Sequence, residues 1–128
     1  MVTATNGGGN SAGDLEALVV EVQTSGLDWI DAKLRSDQLE ADEKNFLAAL
    51  MNDLEKTFEK IGEGKLERLA RGSEQFRDYV VGRVLAQSET GRKKVLYEAK
   101  MNVWEAKRSQ LAFDRVKLER GLYQTGRG

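Results

Sequence analysis

The chain has 128 residues with no Cys, no His and no Pro, and its 20 basic and 21 acidic side chains nearly cancel. The balance hides a segregation: residues 1–62 hold 12 acids against 5 bases, and residues 92–128 hold 10 bases against 4 acids. Absent cysteine excludes disulfides, thiolate chemistry and Cys-based zinc sites, and absent histidine removes the commonest general base and metal ligand, so composition argues against an enzyme, a cofactor or a small-molecule substrate.

The length suits one domain able to bury a useful core. Leu, Ile, Val and Phe make up about a quarter of the chain, above the level of disordered sequences. Without proline, long uninterrupted helices are expected. Residues 1–13, polar and rich in glycine, are expected to form a flexible tail, with neither the basic start nor the apolar stretch of a secretory signal. No apolar run approaches the length of a membrane span. The expected location is therefore the cytoplasm, or an assembly formed there, with no membrane partner.

A first helix is expected from near Asp14, an acceptable cap at the positive helix end. Leu15, Leu18, Val19 and Val22 recur on one face, and Leu27, Ile30 and Leu34 resume the pattern after Ser25-Gly26, which weakens it. Ser36 or Asp37 would cap a second helix with the stripe Phe46, Leu47, Leu50, Leu54, Phe58 and Ile61, ended by Gly62-Glu63-Gly64. A third helix would run from about Lys65, where Leu66, Leu69, Ser73, Phe76 and Val80 alternate three- and four-residue steps as in a short coiled coil. Ser88-Glu89-Thr90-Gly91 reads as a turn that folds a fourth helix back on the third; read as helix instead, it would make residues 65–121 one rod of about 85 Å.

The last helix, about 92–122, is the most informative. Tyr97, Trp104, Leu111 and Leu118 recur every seven residues. Val95, Ala99, Ala106 and Phe113 form a second strip roughly opposite on a helical wheel. A helix apolar on two sides needs contacts on two sides, one within its own bundle and the other with another subunit.

The motifs that could carry chemistry fall short of it. Gly62-Glu63-Gly64-Lys65 lacks the longer glycine span, the Ser or Thr after the lysine and the preceding strand of a phosphate loop. The carboxylates at Asp28/Asp31 and at Glu40/Asp42/Glu43 lack the histidines of a helical di-iron site and read as solvated faces. The basic segment has more content. Arg92, Lys93, Lys94, Lys100, Lys107 and Arg108, interleaved with Tyr97 and Trp104, could track a phosphate backbone and stack bases. The same residues could instead complement the acidic first half of the chain.

These observations lead to an all-α fold. The expected architecture is a four-helix hairpin or bundle over 14–122, with a long basic C-terminal helix and flexible tails at 1–13 and 123–128. The expected function is non-enzymatic: an adaptor, scaffold or structural component that forms homo-oligomers and docks a protein partner. Its interface would draw on Leu66, Leu69, Phe76, Val80, Tyr97, Trp104, Leu111, Phe113 and Leu118. The alternative is a DNA- or RNA-binding accessory protein using the basic, aromatic-interleaved segment 92–120.

Overall fold

A computed structural model of the chain describes residues 11–126, and over that range the fold is all-α. The described residues form three helices: α1 (Ser11–Thr57), α2 (Glu63–Arg71) and α3 (Glu74–Gly126). Three replace the expected four because each presumed breaker but one is built into a helix. The expected tails lie largely outside the described residues; where they are described, at 11–13 and 123–126, the backbone is helical.

Local chemistry explains the continuity. At Ser25-Gly26 the Ser25 hydroxyl donates to the Glu21 carbonyl at 2.9 Å and lies 3.1 Å from that of Val22, so this buried side chain is satisfied inside the helix. Ser36, expected as a cap, is likewise buried in the middle of α1. Thr90, expected in a turn, donates to the Ala86 carbonyl one helical turn back at 2.9 Å and to the Ala32 carbonyl of α1 at 3.0 Å. A lone interior glycine such as Gly91 costs about 1 kcal/mol, too little to stop a helix that packing holds.

The true breaks sit near, but not at, the expected glycines. α1 ends at Thr57, and Lys60 takes the left-handed conformation (φ 65°) that turns the chain. Gly62, extended at φ −67° and ψ 149°, then caps α2, while Gly64 lies inside that helix. A second break falls at Gly72-Ser73, inside what was expected to be one helix. There the Ser73 hydroxyl accepts from the Phe76 N–H at 3.2 Å and donates to the Ala70 carbonyl at 2.6 Å, an N-cap that starts α3.

The chain divides into two compact units, one taking the chain up to Asp28 with the part from Lys94 onward, the other Trp29–Lys93. In the Trp29–Lys93 unit, α1 and α3 pack antiparallel: the Phe46 and Tyr79 rings stack at 4.4 Å, and Arg83 meets Glu43 at 2.6 Å. The Arg83 Nε–H is not aimed at that carboxylate oxygen, so the contact is an ion pair without a well-formed hydrogen bond. α2 closes the core at the other end of this unit. Leu47, Ala70 and Phe76 form its centre, with Phe46, Leu50, Met51, Leu54 and Val80 packed against them.

The Tyr79 hydroxyl donates to the Leu39 carbonyl across the seam. Burial holds its phenol above the usual 10.0, the Asp42 and Glu43 carboxylates push the same way, and Arg83 opposes them. The folded state therefore binds this proton more tightly than the unfolded chain does. Its contribution to stability is complete below pH 10.0 and is lost as pH rises through the shifted value. Tyr79→Phe should flatten that part of the alkaline decline, at a loss of about 1 kcal/mol near neutrality from the missing hydrogen bond. Chemical denaturation at a series of alkaline pH values, with phenolate absorbance alongside, measures both.

In the other unit the two helices again run antiparallel. Gly26 lies against the Tyr97 ring, and Lys100 reaches Glu21 at 3.5 Å. The seam follows a seven-residue pattern on each helix: Leu15, Leu18, Val22 and Ser25 on α1, and Tyr97, Lys100, Trp104, Lys107 and Leu111 on α3 are all at least partly buried.

Candidate interaction surface

α3 presents different residues on its two sides, and the expected interface set divides between them. Leu66 and Phe76 are buried, and Val80, Tyr97, Trp104 and Leu111 are half-buried. These six serve the chain's own packing. Leu69, Leu118 and Phe113 are exposed, Leu118 at 66% and Phe113 at 64%. Leu118 continues the seven-residue series beyond Leu111, but its side chain is not covered as those of Tyr97, Trp104 and Leu111 are. Leu69 faces away from the core because α2 is short and buries only Leu66 and Ala70.

The second strip of α3 is exposed along its length. Val95 is 68% exposed, and Ala99 and Ala106 are exposed as well. Val103 and Val116, which were not singled out from the sequence, enlarge this surface, as does Leu96, which the sequence places beside the Tyr97 series. The signal for Val103 was present: it stands four residues after Ala99 and three before Ala106, the same spacing that defined the strip. α1 also has an outward apolar side. Leu27, Ile30 and Leu34, which resume the apolar periodicity in the sequence, are all more than half exposed, while Trp29, Ala32 and Ser36 take the seam.

The basic residues are mostly engaged within the chain. Lys93 pairs with Glu89 at 3.7 Å, Lys94 with Glu98 at 3.9 Å and Lys100 with Glu21 at 3.5 Å. The Arg108 guanidinium lies 5.3 Å over the Trp104 ring, a cation–π contact on a residue whose indole N–H finds no acceptor among the described residues. Arg92 is exposed and Lys107 half-buried. Exposed pairs one helical turn apart are worth only about 0.3–0.5 kcal/mol each, so they compete weakly with another charged partner.

A groove in the Trp29–Lys93 unit is lined by Asp31, Ala32, Arg35, Gly82, Leu85, Ala86 and Glu89. It exists because Ala32, Gly82 and Ala86 are small where the helices meet. Its polar groups are two carboxylates and a guanidinium, with no nucleophile set beside a base. Among the described residues no three acidic side chains gather as a metal site, and no helix is long and apolar enough to cross a membrane. No known protein family, no curated protein and no solved structure matches this chain.

Proposed function

We propose that this chain is a non-enzymatic helical assembly protein, an adaptor, scaffold or structural component of the cytoplasm or of an assembly formed there. It self-associates and docks a protein partner through the outward side of α3. The observation that carries this reading is the strip of Val95, Leu96, Val103, Phe113 and Val116, all close to half exposed or more on a helix whose other side is already packed. Exposed apolar residues scattered singly need no explanation, but a run at helical spacing marks an interaction site. Water-exposed Val and Phe each forgo about 1.5–3 kcal/mol of burial, which favours covering them.

Light scattering on the full chain tests the reading. The wild type should give a native mass well above 14.3 kDa at high micromolar concentration. Val95→Glu/Phe113→Glu should return it to that monomer mass with unchanged helicity, since each lost contact of about 1.4 kcal/mol is a tenfold loss of affinity. A monomeric wild type would remove the proposal. The nucleic-acid reading has less to stand on, because Lys93, Lys94 and Lys100 already face carboxylates of the chain. It predicts binding to a labelled oligonucleotide at low salt that weakens steeply as salt rises.

A further inference from the structure

We infer that α2 is a lid: it detaches and unwinds as a unit while α1 and α3 of the Trp29–Lys93 unit stay paired, and it uncovers apolar side chains that the closed chain conceals. Nothing here depends on the self-association proposed above, because the exposed strip of α3 from Val95 onward lies outside this unit. α2 has nine residues, of which Leu66 and Ala70 are buried and six, Leu69 among them, are exposed. A helix shorter than about 12–15 residues is marginal in water, so the cover over those two side chains is what keeps α2 helical. Gly62 caps it without a side-chain hydrogen bond and Gly64 lies inside it, so its own sequence adds little.

The joint between α2 and α1 holds no polar contact. Arg71 pairs with Glu67, the Arg68 guanidinium reaches the Gly64 carbonyl, and the Ser73 hydroxyl donates to the Ala70 carbonyl. Among the described residues every hydrogen bond and ion pair of α2 stays within residues 62–73, and none reaches α1. The exposed Arg71 adds a loose tie to α3, its guanidinium 5.8 Å from the Phe76 ring, near the outer limit of a cation–π contact. The α1–α3 seam is tied more firmly. The Tyr79 hydroxyl donates to the Leu39 carbonyl, the Thr90 hydroxyl donates to the Ala32 carbonyl at 3.0 Å, and Arg83 meets Glu43 at 2.6 Å. Packing under α2 is also incomplete: a groove runs between Met51, Asn52 and Glu55 on one side and Ile61 and Leu66 on the other. Side chains that face a gap lose dispersion contacts.

Opening leaves the helix pair able to stand. The Ser73 hydroxyl accepts from the Phe76 N–H at 3.2 Å, a cap that belongs to α3 and needs nothing from α2. Lys60, held at φ 65° in the closed chain, a conformation that costs any residue with a Cβ, is released together with α2. Ala70 sits in one cluster with Leu47 and Phe76, so its departure bares both, with Met51 and Leu54 beside them. An element with few buried apolar contacts belongs to the low-stability end of a fold, from which moving parts are drawn.

Amide hydrogen exchange on the full chain tests the lid. After correction for intrinsic rates, the amides of Leu69, Ala70 and Arg71 are expected to exchange at least tenfold faster than those of Phe46 and Arg83. Equal protection of the two sets would mean that α2 is lost only when the whole unit unfolds, and would overturn the inference. Tyr79→Phe separates the two cases a second time. It weakens a seam that persists when the lid is open, so Phe46 and Arg83 should exchange about fivefold faster, the counterpart of about 1 kcal/mol, with no change in α2. Parallel acceleration in α2 would reject a separate opening. Ala70→Asp places a carboxylate in the closed joint and should hold the lid open. α2 then loses its protection and an apolar-surface dye binds, while most of the helical signal remains. Loss of all helicity in this variant would show that α1 and α3 cannot stay paired without α2, and the lid would be overturned.

Discussion

Phe76→Ala should lower the unfolding free energy by about 3–5 kcal/mol, the range for removing a buried aromatic ring. Among the described residues the buried apolar side chains are Leu47, Leu66, Ala70 and Phe76, so Phe76 supplies the one buried ring of a small core, with the half-buried Phe46 packed against it. It enters that core directly after the Gly72-Ser73 break, where its N–H is bound by the Ser73 hydroxyl and the Arg71 guanidinium sits 5.8 Å from its ring. Truncation would leave a cavity between α2 and the facing part of α1, because the helix start is pinned and cannot close over it. A loss of this size is a large share of the roughly 5–15 kcal/mol that holds typical domains folded. Phe58 supplies the control. It has the same side chain and lies on the stripe expected from the sequence, yet it is 45% exposed just beyond the end of α1. Phe58→Ala should change stability by no more than about 0.5 kcal/mol, as surface substitutions usually do. Urea titration of both variants measures the contrast, and equal losses would mean that the core is centred elsewhere.

The contrast between the two phenylalanines marks how far the sequence could be read. Helical class was legible from the absence of proline and from three- and four-residue spacing, and so was the series Tyr97, Trp104, Leu111, whose members all reach the seam. The exposed strip opposite that series was legible for the same reason. The joints were not. Ser25-Gly26, Ser36 and Thr90 look like interruptions when each residue is judged by its own helix propensity. In the fold, Ser25 and Ser36 are buried, Gly26 lies against the Tyr97 ring and Thr90 reaches across to α1, so small residues that appear to be defects are where the helices come close.

The inward side of α1 misleads for a related reason. Periodicity shows that a helix has an apolar side but not which side a neighbour will cover. Leu27, Ile30 and Leu34 form the greasier track, yet Trp29, Ala32 and Ser36 take the seam, because Tyr97 and Thr90 of α3 meet Gly26 and Ala32. Pairings such as Glu43 with Arg83 join residues 40 positions apart and leave no local trace in the sequence. The exposed leucines therefore followed from no pattern on α1 alone; they required the partner helix.

Gly26→Leu should destabilise the chain by about 2 kcal/mol, within the 1–3 kcal/mol usual for forcing extra carbon into a packed contact. A Cβ built on Gly26 would lie 3.1 Å from Cε1 and 3.3 Å from Cδ1 of the Tyr97 ring, closer than carbons normally sit. Gly26→Ala isolates the two opposing effects. The methyl gains about 1 kcal/mol of helix propensity, and the Tyr97 ring, which is only half-buried, must yield a few tenths of an ångström. The net change should be near zero or slightly stabilising. Leucine adds three more carbons at the same point, which ring adjustment cannot absorb without separating the helices. The decisive measurement is a double-mutant cycle with Tyr97→Ala. If the ring is what leucine strikes, the pair should be more stable than the two single losses combined, by about 1 kcal/mol or more, within the 0.5–3 kcal/mol expected of residues in contact. Simple additivity would mean that Gly26 and Tyr97 do not touch, and that the antiparallel seam of this unit runs in a different register.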